Sequence, residues 1–172
     1  MATGITSAAK SQALSATYRD TGTHNNVSDA ITLGSGGIAA FSKSLTDGTG
    51  ANKANKLWHQ QRSISAGAND DLDLRSLTDR FTTALVFSKL KWFFLRLTSP
   101  ATGVKLVMGN YGANGFTGWF GATTHTEDVA DHVDKTNQID GWTVDATHRY
   151  LRINNPGGAA VTYDIILVGE GS

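Results

Sequence analysis

The densest group of ionisable side chains lies in HTEDVADHVDKTNQIDG, residues 125–141. It contains two histidines and five acidic residues, the types that bind metal ions or transfer protons. His125 and His132 are seven positions apart, which matches neither the HExxH motif nor a zinc-ribbon spacing. We therefore predict a polar loop exposed at one end of the fold, with surface recognition or an adventitious cation rather than catalysis as its role.

Two other segments carry residues that suggest binding sites. DGTGANKANK, residues 47–56, has the glycines and lysines of a phosphate-binding loop, but the GxxxxGK[ST] spacing is missing and a strand pattern follows. We expect a loop shaped by glycine there. Asp70, Asp71 and Asp73 offer oxygen ligands for a cation, but the EF-hand spacing is absent. Because Asp71 and Asp73 alternate with leucines, we expect them on the solvent-facing side of a strand.

The aromatic residues offer a third kind of chemistry, because the face of an aromatic ring can stack on a sugar ring. Trp119 lies in the glycine-flanked segment GANGFTGWFGA and is the best candidate for an exposed ring. We predict an outward-facing recognition loop that includes Tyr111, Phe116, Trp119 and His125. Packing in the core or at a subunit interface is the alternative for these aromatic side chains.

The composition limits the class of protein. The 172 residues fit one domain, only 17% are charged, and the formal net charge is +0, so the positive surface of a nucleic-acid binder is not expected. The chain has no cysteine and no GxSxG nucleophile elbow, and we assign no catalytic residue, cofactor or metal ligand. No apolar run approaches a membrane span, and the first residues lack the apolar block of a secretion signal. We expect a protein that is not an enzyme and is made in a cytoplasm.

Residues 1–30 differ from the rest of the chain. They are rich in Ala, Ser, Thr and Asn and contain few large apolar side chains. Such a segment cannot bury enough apolar surface to offset the entropy lost on ordering. We predict an extended N-terminal arm, with a helical turn around residues 7–14, that is ordered only against a partner. A disordered tail is the alternative.

From Ile31 onward, apolar residues recur at every second position. In AVTYDIILVG, for example, Tyr163, Ile165 and Leu167 share one face, and YLRIN and DLDL alternate in the same way. Turn signals such as DGTG, AGAND and NNPGG separate these runs. We predict an all-β fold over residues 31–172: a single β-sandwich or jelly-roll-like domain of about eight to ten short antiparallel strands, preceded by the arm.

The most apolar segment is TTALVFSKLKWFFLRLT. Leu85 and Phe87 share one face, whereas Leu90, Trp92 and Phe94 share the other, so the alternation slips between Phe87 and Leu90. A β-bulge or a strand–turn–strand would explain the slip, and a long buried helix is the alternative. Because apolar residues occur on both faces, we expect both faces to be covered, and a subunit contact could supply the second cover.

The sequence resembles a group of small virion proteins of tailed bacteriophages in four segments: DGTGANKANKLWHQQRSISAGANDDLDL, SLTDRF, FSKLKWFFLRL and YLRINNPGGAAVTYDIILVGEG. The resemblance extends over roughly residues 33–169, and its motifs are structural rather than catalytic. It implies a jelly-roll β-sandwich on the capsid surface of the virion, of the decoration or cement type. Proteins of this kind are commonly trimers at points where capsomers meet.

The resemblance also implies partners. These are the major capsid protein and further copies of the chain in a homotrimer, with no nucleic acid and no membrane, after synthesis in the host bacterial cytoplasm. The arm would clasp the capsid or a neighbouring copy. Tyr18 would lie at a contact with a partner or another copy, Trp92, Phe93 and Phe94 would lie in the core or at a subunit contact, and the loops of residues 111–140 would face outward. A glycan- or receptor-binding module of a phage tail or fibre is the alternative function.

Overall fold

The computed structural model describes residues 7–12, 15–20, 27–32, 41–79, 82–98 and 102–171, with the side chains of residues 7 and 10–42 outside this description. Sixteen strands are assigned there: β1 (Ser7–Gln12), β2 (Ser15–Asp20), β3 (Val27–Thr32), β4 (Phe41–Asp47), β5 (Lys53–Ala54), β6 (Lys56–Ile64), β7 (Asn69–Asp73), β8 (Leu77–Thr78), β9 (Ala84–Leu85), β10 (Phe87–Leu97), β11 (Leu106–Gly109), β12 (Thr126–Val129), β13 (His132–Thr136), β14 (Trp142–Thr143), β15 (Tyr150–Asn154) and β16 (Val161–Gly171). None of these residues forms a helix, so none forms a helix able to cross a membrane.

The contacts divide the chain into two compact units, and the division falls after Leu45. In the first unit, β2 and β3 form an antiparallel hairpin, and β1 hydrogen-bonds to β4. The predicted helical turn is wrong for residues 7–12, which form β1, because so short a stretch does not sustain a helix without packing. The boundary predicted after residue 30 lies within β3. The role of residues 1–30 as an arm stays a prediction.

Nine strands of the second unit form the two sheets of a β-sandwich; eight of them follow below in sheet order, and the short β14 pairs with β10 beside β13. One sheet has the order β13-β10-β16-β6 and the other β12-β11-β15-β7, and the pairs in both are antiparallel. The first strand pairs with the last, β6 with β16, and three further pairs nest inside: β7 with β15, β10 with β13, and β11 with β12. Nested pairs rolled into two sheets give a jelly roll. The predicted all-β, jelly-roll-like sandwich is confirmed.

The inward-facing residues of the two sheets form one apolar core. On β16 these are Tyr163, Ile165 and Leu167, each fully buried, which confirms the face predicted from their alternation. Leu151 and Ile153 on β15 face them from the other sheet. Because both sheets contribute side chains at every second position, the core is continuous from one end of the sandwich to the other.

The long strand β10 contains two β-bulges, at Ser88 and Lys91, where its register against β16 shifts. The first confirms the slip predicted between Phe87 and Leu90. The second was not predicted, and it turns Leu90 to the interior of the sandwich, where it is fully buried. Leu90 therefore does not share a face with Trp92, because one extra residue in a strand reverses the side-chain alternation beyond it.

An ion pair closes each open side of the sandwich. Arg62 on β6 lies 2.5 Å from Asp70 on β7, measured from Nε to Oδ2. On the opposite side, Lys135 on β13 lies 2.7 Å from Glu127 on β12, measured from Nζ to Oε1. All four residues occupy inward-facing positions of their strands, and each pair joins one sheet to the other. Charged pairs thus replace core residues where the edge of the sandwich meets water.

Candidate functional site

The segment with the histidines and acidic residues forms two strands, β12 and β13, which lie in opposite sheets of the sandwich, so the loop predicted there is wrong. Val129 and Val133 lie on either side of the turn, and both are buried against the core. Their positions were the signal for two strands that each turn an apolar side chain inward, but the polar neighbours obscured it. In the described part of the chain, no three His, Asp or Glu side chains are placed to hold a metal ion.

The glycine-rich segment is held by a buried ion pair. Lys91 Nζ lies 2.6 Å from Glu170 Oε1, and the two side chains are 0% and 8% exposed. Glu170 Oε1 accepts a hydrogen bond from the Gly50 amide at 2.9 Å, and Lys91 donates to the Gly50 carbonyl and to the Gln138 carbonyl. Both backbone groups of Gly50 are thus fixed by side chains of opposite charge. The predicted glycine-shaped loop is confirmed, since Gly48 and Gly50 both have positive φ.

The aspartates of β7 form ion pairs on the outer face of their sheet. Asp71 accepts two hydrogen bonds from Arg152, at 2.7 and 2.8 Å, and Asp73 pairs in the same way with Arg149. The solvent-facing side predicted for Asp71 and Asp73 is confirmed. The Arg152 guanidinium also lies 4.9 Å from the Tyr111 ring centre. Surface pairs of this kind stabilise little, but they give the sheet a charged and ordered edge.

Asp70 differs from its neighbours because its strand turns it inward. It accepts hydrogen bonds from Arg62 and, at 2.7 Å, from the hydroxyl of Tyr163, which is fully buried. Burial acts to raise the pKa of Asp70, but the hydrogen bonds from Arg62 and Tyr163 outweigh it, so the pKa lies below its ordinary value of 3.8. Burial, followed by the bond to Asp70, raises the pKa of the Tyr163 hydroxyl.

We expect the stability of the fold to fall in acid because of Asp70. A carboxyl whose pKa is lower in the folded chain stabilises the fold above its unfolded pKa, and this contribution is lost as pH falls through the folded pKa. The free energy of unfolding should therefore decrease below about pH 4, near the ordinary value of 3.8. Urea unfolding from pH 7 to pH 2.5 measures the decrease. In Asp70→Asn the free energy of unfolding should fall less steeply as the pH is lowered. An unchanged dependence on pH would show that Asp70 is not responsible.

The structure separates the four residues of the predicted recognition loop. Phe116 is 3% exposed and belongs to the core, so it does not face outward. Tyr111 is stacked on Tyr150, with ring centres 4.5 Å apart, and the guanidinium of Arg152 also lies against its ring.

Trp119 and His125 do come together, and both line a groove between the two sheets. Trp119 is partly buried there; its ring packs on those of Phe93, Phe116, Phe120 and Trp142.

The residues predicted to lie in the core or at a subunit contact have different locations in the structure. Phe93 is fully buried inside the sandwich, so it cannot reach a partner. Trp92 is on the outer side of the same sheet but is only 8% exposed. Phe94 is half-buried and lies on that outer side. The side chain of Tyr18 lies outside the described residues, and its backbone is part of β2.

The outer face of the β13-β10-β16-β6 sheet carries a row of apolar side chains, here named the apolar strip: Leu57, Phe94 and Ile166. Ile166 lies between His59 and Phe94 in the register of the sheet. Leu57 is 44% exposed and Ile166 is 40% exposed. Ile166 and Phe94 line a shallow groove of about 450 Å³, together with His59 and polar side chains of the sheet. A contiguous group of apolar side chains on an exposed sheet face is typical of a protein contact surface.

The comparisons with known proteins give no family. No protein-family model matches the chain, and no curated protein matches it. Among solved structures, the chain is similar to the crystal structure of the Yersinia pseudotuberculosis-derived mitogen, at 9% identity and a TM-score of 0.35, over 68% of this chain and 88% of that chain. A likeness this weak carries no argument about function.

Proposed function

We propose that the protein is a structural virion protein of a tailed phage, which binds the outer capsid surface as a decoration or cement protein. The apolar strip is the observation that carries this proposal, and the resemblance of residues 33–169 to phage virion proteins supplies the partner. The strip would lie on the major capsid protein. A homotrimer would multiply the strength of each contact by avidity.

The chemistry of the strip suits a protein partner. Burial of exposed leucine, isoleucine and phenylalanine side chains stabilises a complex by roughly 25 cal/mol per Å² of apolar surface removed from water. This contribution does not require a specific ligand geometry. The charges beside the strip are already paired, because Arg96 donates to Asp164 at 2.8 Å. A capsid surface can therefore cover the strip without leaving an isolated charge buried, which would be costly.

Replacement of Ile166 by glutamate should weaken capsid binding at least tenfold, or about 1.4 kcal/mol. The change places an unpaired carboxylate at the centre of the contact, where it would lose its water. Co-sedimentation of the purified protein with capsids assembled without it measures the binding. Because Ile166 is 40% exposed in the isolated chain, the variant should retain its melting temperature.

Ile139 provides the matched control. It is 52% exposed and lies in the segment between β13 and β14, outside the strip. Ile139→Glu makes the same chemical change and should leave capsid binding unaltered. Equal binding by the two variants and the parent protein would exclude the strip as the contact, and a lack of binding by the parent protein would exclude the capsid as the partner.

A further inference from the structure

A groove of about 490 Å³ lies between the two sheets, on the side where β12 and β13 are the edge strands. Its lining combines two aromatic residues with five polar ones: Trp119, Phe120, Thr124, His125, Thr126, Glu127 and Lys135. It shares no lining residue with the groove beside the apolar strip. Its volume is within the range of small-molecule sites in proteins, which is about 300–1,000 Å³.

The wall of the groove is fixed by short contacts to the neighbouring backbone. His125 Nδ1 lies 2.6 Å from the Phe120 carbonyl, and since a carbonyl only accepts, Nδ1 carries the proton. The Asn110 amide donates to the His125 carbonyl at 3.1 Å. Gly109 permits this approach, because a Cβ there would lie 2.3 Å from the same carbonyl oxygen. The imidazole of His125 is therefore held with Nε2 available as an acceptor.

The polar side chains of the groove alternate between donors and acceptors. Lys135 donates and Glu127 accepts, and their pairing at 2.7 Å leaves the groove without a net charge that would select an ion. The hydroxyls of Thr124 and Thr126 can do both. The Nε1–H of Trp119 is buried and has no partner among the described residues, so it lies behind the surface of the groove. The part of Trp119 that lines the groove is therefore the apolar part of its ring.

We propose that this groove binds a neutral saccharide. A sugar hydroxyl donates one hydrogen bond and accepts others, so adjacent hydroxyls match the adjacent donor and acceptor of Lys135 and Glu127. The ring of Trp119 packs on its aromatic neighbours, so the sugar contacts the edge of the indole rather than stacking on its face. Binding here does not depend on capsid docking, and it would let the same domain contact glycans.

The test uses the full-length protein and the indole N–H signals of its four tryptophans in ¹H–¹⁵N NMR spectra. The probes are glucose, galactose, N-acetylglucosamine and lactose, each titrated separately. We expect at least one of them to shift the Trp119 signal saturably. The Trp58 signal should not move, because its Nε1–H already donates to the Thr78 carbonyl at 3.1 Å.

Two variants of β12 make the result specific. Glu127→Gln replaces the charged acceptor of the groove by a neutral one and should weaken binding roughly three- to tenfold, because a charge-assisted hydrogen bond is about twice as strong as a neutral one. Asp128→Asn changes the next residue, which faces outward and pairs with Lys105, and should have no effect. If Glu127→Gln does not fold, Thr124→Val takes its place. The absence of a saturable Trp119 shift, or equal affinity in the groove variant and the parent, would overturn the proposal.

Discussion

Replacement of Lys91 by methionine is expected to lower the free energy of unfolding by roughly 3–5 kcal/mol, the range for breaking a buried ion pair. The methionine side chain has a similar length but no charge. It would leave Glu170 as a carboxylate that is 8% exposed, without its cation. It would also remove the donor to the carbonyls of Gly50 and Gln138. The Gly50 loop should therefore loosen together with the end of β16.

Urea denaturation of the purified variant measures this loss. Lys105→Met is the matched control, because it breaks the Lys105–Asp128 pair, whose side chains are 47% and 58% exposed, and should cost less than about 1 kcal/mol. The double variant Lys91→Met, Glu170→Met should recover part of the stability, since it buries no lone charge. A loss below about 1 kcal/mol in the single variant would show that the pair does not hold the loop.

Replacement of Gly169 by alanine is expected to lower the free energy of unfolding by at least about 3 kcal/mol, which is at the upper end of the range for overpacking a core. A Cβ at this position would lie 2.1 Å from the Lys89 carbonyl oxygen and 3.1 Å from the Leu90 Cα. Both atoms belong to the backbone of β10 between its two bulges, so a rotamer change cannot relieve the clash. The two central strands of the sheet would have to separate.

Gly158→Ala is the control for Gly169→Ala. A Cβ at Gly158 has no heavy atom within 4 Å, so this variant should be as stable as the parent or slightly more stable. Thermal unfolding followed by circular dichroism compares the two. Similar melting temperatures for both variants would mean that β10 and β16 adjust without cost, contrary to the tight packing at Gly169.

The jelly-roll class could be predicted from the sequence because the alternation of apolar and polar residues survives in most strands. Tyr163, Ile165 and Leu167 are one example, and their burial follows directly from it. The second bulge of β10 could not be predicted, since Lys91 is a single polar residue among apolar ones and has no turn signal beside it. The buried ion pair of Lys91 with Glu170 could not be predicted either, because the two residues are far apart in the sequence and lie on different strands.

The candidate sites were harder to predict than the fold. Residue type suggested Trp119 and His125, and the folded chain does bring them to one groove. The same reasoning included Phe116, which is buried, because a glycine-flanked aromatic residue looks alike in the sequence whether it points in or out. The apolar strip depends on which residues of three separate strands become neighbours, and that is fixed by register rather than by sequence spacing.

The most direct measurement of the proposed function is a cryo-EM reconstruction of purified phage particles, since the proposal requires that a tailed phage encodes the chain. The proposal predicts density for the jelly roll on the outer capsid surface, with the face that carries Leu57, Phe94 and Ile166 turned toward the major capsid protein. Absence of the protein from mature particles, or attachment through another face with the strip left in solvent, would contradict it.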